Sequence, residues 1–554
     1  MTPEQLSQAI VAALTALHEA GDVTLPDGPP AHVVVERPKS KEHGDYATNI
    51  ALQLGKKAGM NPRDLAQLLA DRLTGTDGIS AADIAGPGFL NIRVDAGSQG
   101  VLAGEIVTAG AAYGHTTEGT GRTVNVEFIS ANPTGPLHLG HTRWAAVGDA
   151  VARVIEATGA QVAREFYIND RGVQMDHFGA SLMARAHGEE PPEDGYQGAY
   201  VEPLAQQIVD ANPGILDLPR DEQLVAFREA GYTLQRGEHE SELHELRTDF
   251  DVWFSERTLH DTGAVERAFT LLEEQGRLFE DGGALWMRTT DFGDDKDRVL
   301  RKSDGELTYF SSDTAYYVDK RDRGFDPCIY LLGADHHGYV GRLKAMAACV
   351  GDDPTRQLEV LIGQLVKILS NGQELKLSKR AGTIVSLREL IDLIGVDALR
   401  YTLIRYPVDT PLTLDVAEMT KKSSDNPVYY VQYAHARLSS ITRNGADLGI
   451  TADAATFDAS LLTHEREGDL LRALAEFPRV VARAAEQREP HRVARYLEDT
   501  ASAFHKFYDE CHVLPKGDEE ATDLHRARLV LVAATRQVIA NGLGLLGVSA
   551  PDRM

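Results

Sequence analysis

An α/β fold built on a doubly wound parallel sheet, followed by a largely helical C-terminal third, is the fold class that the sequence predicts. Three observations lead to it. A short strand-like run rich in valine, phenylalanine and isoleucine (123–129) passes through a Pro/Gly turn into a long helical pattern near His138, the β-turn-α unit of such sheets. Further strand-like runs follow at 165–168, 307–310, 328–332 and 358–362. From about Thr420 the pattern is almost entirely helical.

The first block of the chain predicts a small α/β domain. One apolar stripe indicates a helix over residues 1–18, and helical spacing continues through 46–54 and 65–73. The alternating run 88–93 predicts a strand. The stripe of the first helix consists of Leu6, Ile10, Leu14 and Leu17.

A chain of 554 residues is too long for one hydrophobic core, so we expect several domains. The predicted parts are an N-terminal domain (1–115), two halves of the parallel-sheet domain (116–185 and 295–375), a polar inserted segment (186–294), a connecting region (376–420) and a helical domain (421–554). No run of eighteen apolar residues predicts a membrane span, and the first residues lack the pattern of a secretory signal.

The cysteines and the net charge limit the classes of protein to which this chain can belong. Cys328, Cys349 and Cys511 are far apart, which argues against a disulfide framework and a cysteine-built zinc site. We therefore expect a reduced, cytoplasmic enzyme without a dedicated metal site. The net charge of −27 leaves a nucleic-acid partner open, because phosphate binding needs only a local basic track.

The run Ser-Ala-Asn-Pro-Thr-Gly-Pro-Leu-His-Leu-Gly-His (130–141) lies at the first strand-to-helix turn. A helix N-terminus presents free N–H groups and suits phosphate. Gly140 leaves room for an adenine ring, and His138 and His141 can donate hydrogen bonds to an α-phosphate in the transition state. Two histidines near a helix start also arise by chance, so the prediction depends on the whole run.

A second motif, Lys-Leu-Ser-Lys-Arg-Ala-Gly-Thr (376–383), follows much later. Alone, a lysine-rich loop is usually a solvated surface. Together with the first motif it predicts that Lys376, Ser378 and Lys379 contact the β- and γ-phosphates of ATP and neutralise the leaving pyrophosphate.

These two motifs, in this order, resemble the signatures of the class I aminoacyl-tRNA synthetases, His-Ile-Gly-His and Lys-Met-Ser-Lys-Ser. Leu139, Leu377 and Arg380 depart from them. The form of the first motif is similar to that of the arginyl-tRNA synthetases. So are the runs at 167–170, 289–296, 333–339, 426–437 and 550–554, and the resemblance covers essentially the whole chain.

The resemblance implies a Rossmann-type catalytic domain with an inserted connective segment, an N-terminal domain that reads the tRNA D-loop and a helical anticodon-binding domain. It implies a monomer that uses ATP with Mg²⁺, L-arginine and tRNA(Arg), and that activates arginine only when tRNA is present. His138, His141, Lys376 and Lys379 would be catalytic, and His337 would join Gly140 in binding ATP.

The resemblance also implies an arginine pocket and three tRNA contacts. A permanently charged guanidinium calls for carboxylates in forked geometry, which would be Glu127 and Asp313. The other pocket residues would be Asn132, Tyr309 and His336. The tRNA would be bound by Phe89 and Asn91 of the N-terminal domain, by Tyr429, Gln432 and Arg437, and by Met554.

Several interpretations stay open at this point. A small-molecule nucleotidyltransferase can share the His-x-Gly-His turn, but would not need the N-terminal block or the helical third. A non-catalytic tRNA-binding paralogue would not need both motifs intact. Five C-terminal arginines form either a phosphate-facing track or a salt-bridged solvent face: Arg479, Arg483, Arg488, Arg492 and Arg495.

Overall fold

The protein is described by a computed structural model over residues 1–38, 40–370, 372–374 and 385–554. The N-terminal domain has its own hydrophobic core, formed by residues up to Val94. Its three strands form an antiparallel sheet in the order β1-β3-β2. Its elements are α1 (Pro3–Glu19), β1 (Tyr46–Thr48), α2 (Ile50–Gly55), α3 (Pro62–Leu73), β2 (Ile79–Ala85) and β3 (Phe89–Val94). Helix α4 (Ala96–Ala109) follows, and its buried residues belong to the core of the rest of the protein.

Three of the N-terminal predictions are confirmed, among them the helix at 65–73, which corresponds to α3, and one is wrong. Thr2 caps α1 with a capping box, and the predicted apolar stripe is buried. The predicted strand at 88–93 corresponds to β3. The helical pattern predicted from Tyr46 begins only at Ile50, because Tyr46–Thr48 pair with β3 as a strand.

The domain that follows is built on a five-stranded parallel sheet in the order β11-β10-β4-β5-β6. The fold class predicted from the sequence is thereby confirmed. Its elements up to the end of this sheet are β4 (Thr123–Glu127), α5 (Leu139–Glu156), β5 (Gln161–Ile168), α6 (Val173–Ala186), α7 (Val201–Ala211), α8 (Arg220–Glu245), β6 (Val252–Ser255), α9 (Glu256–Asp261), α10 (Ala264–Glu274), β7 (Leu278–Asp281), β8 (Ala284–Met287), β9 (Arg298–Arg301), α11 (Tyr309–Asp322), β10 (Cys328–Gly333), α12 (Val340–Cys349) and β11 (Leu358–Gly363).

The strand order reverses direction between β4 and β10. From β4 the sheet continues to β5 and β6 on one side, whereas β10 and β11 lie on the other. Ligands of doubly wound sheets bind at the carboxyl ends of the strands where the order reverses. Glu127 ends β4 and Gly333 ends β10, so both strands deliver their following residues to this crevice.

The segment predicted as an insertion, 186–294, contributes a strand to the main sheet. It contains α7 and α8, but also β6, which pairs with β5 as the edge strand of the main sheet. The hairpin of β7 and β8 continues into β9 as a separate three-stranded sheet. The strand predicted at 307–310 is wrong, because Tyr309 already begins helix α11.

The C-terminal part is helical, as predicted, and shares one continuous hydrophobic core with the parallel-sheet domain. Arg400 is fully buried at this junction. It pairs with Asp149 of α5 at 2.5 Å and donates to the Leu546 carbonyl at 2.9 Å. The remaining elements are β12 (Val366–Ser370), β13 (Gln373–Glu374), α13 (Leu387–Ile394), α14 (Val396–Ile404), β14 (Leu412–Asp415), α15 (Val416–Thr420), α16 (Pro427–Asp447), α17 (Glu465–Ala475), α18 (Phe477–Gln487), α19 (His491–Glu510) and α20 (Asp523–Leu545).

Candidate active site

The turn after β4 is strained and held by side chains. Ile129 and Ser130 have φ values of 71° and 47°, which L-residues other than glycine rarely adopt. The Ser130 hydroxyl donates to Glu127 Oε1 at 3.0 Å and accepts from the Tyr167 N–H at 3.3 Å. The strain therefore lies where the sheet delivers its carboxylate to the crevice.

The two histidines of the first motif form the start of α5. The Gly140 N–H donates to His138 Nδ1 at 3.2 Å, and the His138 N–H donates to His141 Nδ1 at 3.3 Å. This reciprocal pattern is a capping box. The rings stack with centroids 3.9 Å apart. Since each Nδ1 accepts a hydrogen bond, the proton of each neutral ring lies on Nε2, which can act as a donor.

Gly140 is needed for this arrangement. A Cβ atom at this position would lie 3.1 Å from His138 Cε1, closer than an ordinary van der Waals contact. The glycine therefore lets the first imidazole fold back over the helix start, in addition to the space that it leaves for a ligand.

A cavity of about 880 Å³ opens beside the histidines. Its lining includes Asn132, whose amide donates to Gln174 Oε1 at 2.6 Å. The wall between Asn132 and His138 is fixed from outside the sheet, because Tyr200 donates to the Thr134 carbonyl and His239 to the Gly135 carbonyl. The volume lies in the range of nucleotide-sized ligand sites.

The lysine motif (Lys376, Ser378 and Lys379) lies outside the described residues. Its described neighbour Ser386 forms an antiparallel bridge with His138. The Leu387 N–H donates to the Leu137 carbonyl at 2.8 Å. The chain that leaves the lysine motif is therefore anchored on the histidine motif.

Two carboxylates are carried by β4 and α11. Glu127 is buried and pairs with Lys320 Nζ at 2.5 Å. Asp313, in the second turn of α11, accepts a hydrogen bond from the Tyr339 hydroxyl. Burial raises the pKa of Asp313 to about 6; the Tyr339 hydrogen bond partly offsets this rise, and the charges of Glu256 and Glu127 add to it. The negative charge of Glu127 therefore acts on the Asp313 carboxylate.

The other predicted pocket residues are more exposed. Tyr309, at the start of α11, is 76% exposed. His336 and His337 lie in a 3₁₀ turn after β10, and both are exposed. His336 Nε2 is 3.5 Å from Asp335 Oδ2. The described part of the protein contains no cluster of three His, Cys, Asp or Glu side chains arranged to hold a metal ion.

Comparison with known proteins gives the family. Residues 4–94 match the family model "Arginyl tRNA synthetase N terminal domain", 104–202 and 238–401 match "tRNA synthetases class I (R), catalytic domain", and 431–554 match "DALR anticodon binding domain". A curated relative from Kineococcus radiotolerans, named arginine–tRNA ligase, is 57% identical over 555 residues, covering 100% of both chains.

The chain belongs to the arginyl-tRNA synthetase family.

Solved arginyl-tRNA synthetase structures share its fold. One from Campylobacter jejuni superposes with a TM-score of 0.75 at 30% identity, covering 83% of this chain and 100% of the other. One from Thermus thermophilus superposes with a TM-score of 0.74 at 24% identity and covers 100% of both chains. No helix among the described residues is long and apolar enough to cross a membrane.

The exposed face of the N-terminal sheet carries the two residues predicted to bind a tRNA base. Phe89 is 42% exposed and is therefore not a core residue. Phe89 and Asn91 alternate along β3 with the buried Leu90 and Ile92. Residues two apart on a strand share a face, so the two predicted base contacts lie side by side on the solvent-facing surface.

The predicted tRNA contacts on α16 have different surroundings. Tyr429 stacks on Tyr433 with centroids 6.3 Å apart, and the Arg437 guanidinium lies 4.2 Å from the Tyr508 ring centroid. Gln432 is instead buried, and its amide donates to Asp397 Oδ2 and the Ser549 carbonyl. In this arrangement Gln432 fixes the C-terminal tail and offers no exposed group to a ligand.

The tail leads to the last predicted tRNA residue. His435 Nδ1 lies 2.9 Å from the Pro551 carbonyl, and Ser439 donates to Asp552. The tail therefore runs along α16, and Met554 at its end is 56% exposed.

The five C-terminal arginines divide into two groups. Arg488 pairs with Glu359 of β11 and is buried. The other four line one groove of about 320 Å³ together with Arg37 of the N-terminal domain; Glu476 and Asp499 also line it. The four are Arg479, Arg483, Arg492 and Arg495. Arg479 and Arg492 also pair with glutamates, as the salt-bridged interpretation expects, whereas the phosphate-facing interpretation stays a prediction.

Some residues of the site were not singled out from the sequence. Tyr339 stands in a run that resembles the family, but nothing marked it as the partner of Asp313. Glu256 follows β6 and adds to the negative charge near Asp313. Lys320 stands in a helical pattern, where a lysine normally indicates a solvated face. No local signal distinguishes it.

Proposed function

We propose that this protein is an arginine–tRNA ligase. Arginine's carboxylate attacks the α-phosphorus of ATP, giving arginyl-adenylate and pyrophosphate. A hydroxyl of the 3′-terminal ribose of tRNA(Arg) then attacks the adenylate carbonyl and releases AMP. The observation that carries the proposal is the crevice where the strand order of the sheet reverses. There β4 ends in the buried Glu127 and leads through the strained turn to the stacked, helix-capping His138 and His141.

In the activation step the chain positions and stabilises charge rather than acting as a nucleophile. The Nε2–H groups of His138 and His141 would donate to the phosphate oxygens at the start of α5, where the helix dipole adds favourable charge. Lys376, Ser378 and Lys379 would contact the leaving pyrophosphate. Mg²⁺ would be carried mainly by the ATP phosphates, since it usually keeps several waters and few protein ligands.

In the arginine pocket the two carboxylates would share the guanidinium, which offers five N–H donors in a fixed plane. Asn132 would bind near the α-amino group, and Tyr309 would cover the side chain. The exposed position of Tyr309 suits a residue at the entrance of the pocket. His336 and His337 follow β10 at the same edge of the sheet and would contact arginine and ATP, respectively.

The pKa of Asp313 gives a pH dependence. Only the ionised carboxylate neutralises the guanidinium, so arginine binding should weaken as the pH falls through about 6. We expect the arginine dissociation constant, measured by calorimetry, to rise between pH 7.5 and 5.5. Asp313→Asn should bind weakly at every pH, because its amide does not titrate. An arginine affinity that is constant over this range would contradict the role of Asp313.

For tRNA we propose three contact surfaces. Phe89 and Asn91 would receive an unpaired base by stacking and edge hydrogen bonds. Tyr429, Tyr433 and Arg437 would contact the anticodon end. The groove lined by five arginines lies between the N-terminal and helical domains and would attract the phosphate backbone in spite of the net charge of −27.

The test is arginine-dependent pyrophosphate exchange, with and without tRNA. We expect exchange near background with arginine and ATP alone and a clear rise when tRNA(Arg) is added. Exchange with another amino acid would overturn the substrate assignment, and robust exchange without tRNA would remove the tRNA requirement only. A non-catalytic paralogue would give no exchange under either condition.

A further inference from the structure

Lys320 is a completely buried lysine that none of the steps above uses. It lies in the fourth turn of α11 with no solvent-accessible surface. Its Nζ is 2.5 Å from Glu127 Oε2. Lysine is rarely fully buried unless it is paired, and this one is paired with a carboxylate proposed to bind substrate.

Two aromatic rings confine the ammonium of Lys320. Nζ lies 4.4 Å from the ring centroid of Tyr316 and 4.0 Å from that of Tyr330, both within cation–π range. The Tyr316 hydroxyl donates to Glu165 Oε1 at 2.7 Å, and Arg323 holds the same carboxylate at 2.8 Å. The walls around the ammonium are therefore themselves fixed, and Lys320 has one defined position.

The consequence for Glu127 is a fixed orientation before any substrate arrives. Lys320 holds Oε2, and the Ser130 hydroxyl donates to Oε1. A carboxylate oxygen has two lone-pair sites. Each oxygen thus keeps one acceptor site for a guanidinium, while the carboxylate as a whole cannot rotate away.

A single helix carries both halves of this arrangement. Asp313 and Lys320 are seven residues apart on α11, which is about two turns, so they lie on the same side of the helix. The helix supplies one carboxylate directly and fixes the other through the lysine. We propose that Lys320 is a positioning residue for arginine, which holds the Glu127 carboxylate in the orientation that meets the guanidinium. This inference rests on the proposed function.

The test uses pyrophosphate exchange of the full-length protein with tRNA(Arg) present. Lys320→Met should raise the KM for arginine by roughly ten- to a hundredfold, the scale of one charge-assisted contact, with little change in kcat or in the KM for ATP. Lys320→Arg should recover part of the affinity, because it keeps the charge. The matched control is Arg321→Met, which removes a cation from the same turn that pairs with Asp352 instead.

A double-mutant cycle separates positioning from a general structural role. Glu127→Gln alone should raise the arginine KM, and adding Lys320→Met to it should raise it little further, because both changes remove the same contact. If the two effects multiply, Lys320 does not act through Glu127 and the inference is overturned.

Folding and function are checked separately. If Lys320→Met alone does not fold, the Glu127→Gln/Lys320→Met variant, which leaves no unpaired charge, replaces it and should match Glu127→Gln in its arginine KM. A much higher KM, or a wild-type KM in a folded Lys320→Met protein, would refute the inference. If the wild-type protein shows no arginine-dependent exchange, the proposed function itself fails.

Discussion

Replacing His138 by serine should lower the rate of arginine activation by about a hundred- to a thousandfold, the scale of one lost transition-state donor. The KM for ATP should change little, because the Nε2–H contact would strengthen only as charge builds on the phosphate. Serine is a good N-cap residue, so it replaces the Nδ1 acceptor that begins α5. Single-turnover formation of arginyl-adenylate, with tRNA present, measures the rate directly.

The chain provides a matched control for this substitution. His464 caps α17 in the helical domain in the same way, with Nδ1 accepting the Arg466 N–H and a capping box to Glu467. His464→Ser should therefore reproduce any cost in helix capping, read as a shift in Tm, without the loss of rate. If the two serine variants activate arginine equally well, the imidazole of His138 only caps a helix.

Removing both lysines of the second motif should have the other large effect. Negative charge grows on the pyrophosphate as the α-phosphate bond breaks, and a lysine that reaches it at that moment stabilises the transition state more than bound ATP. Lys379→Ala should lower the activation rate by roughly a hundredfold or more. The Lys376→Ala/Lys379→Ala double variant should be slower still, with a nearly unchanged KM for arginine and ATP.

Lys421→Ala is a suitable control, because this exposed lysine forms a local ion pair with Asp425. The single and double variants together show how much each of the two lysines of the motif contributes to the rate of adenylate formation. Wild-type adenylate formation by the double variant would mean that the motif is an ordinary solvated surface. Its catalytic role would then have to be abandoned.

The parts of the fold that could be predicted are those with local causes. Strand β4 and the start of α5 were predictable, because their causes lie close together in the sequence. These are the apolar strand run, the Pro/Gly turn and the histidine motif. The helical C-terminal third follows from its apolar periodicity. The wrong predictions needed distant partners. Tyr46–Thr48 form a strand only because they pair with β3.

The strand predicted at 307–310 failed for a related reason. Aromatic residues such as Tyr309 and Phe310 favour strands in isolation, but α11 is stabilised by burial of Phe310 and Tyr317 in a hydrophobic cluster that it forms with α10 and α12. Tertiary packing outweighs local propensity here.

The candidate site was predictable in its motifs but not in its internal contacts. The histidine motif could be interpreted from sequence alone, and Glu127 and Asp313 followed from the resemblance to the family. The Lys320–Glu127 pair joins residues 193 positions apart, and only the sheet topology brings them together. No composition or spacing rule could have indicated it.

The shared core of the catalytic and helical domains has a consequence for recombination of this protein. A helical domain grafted from another synthetase would place different side chains in the core that it shares with α5. The buried Arg400 would also lose its hydrogen bond to the Leu546 carbonyl unless the new domain supplied an equivalent acceptor. The N-terminal domain is different, because its core ends at Val94. Its described polar contacts with the helical domain include those from Arg472 to Asp45 and from Arg479 to Val35. Chimeras are therefore best joined near residue 95, with everything after it inherited as one piece.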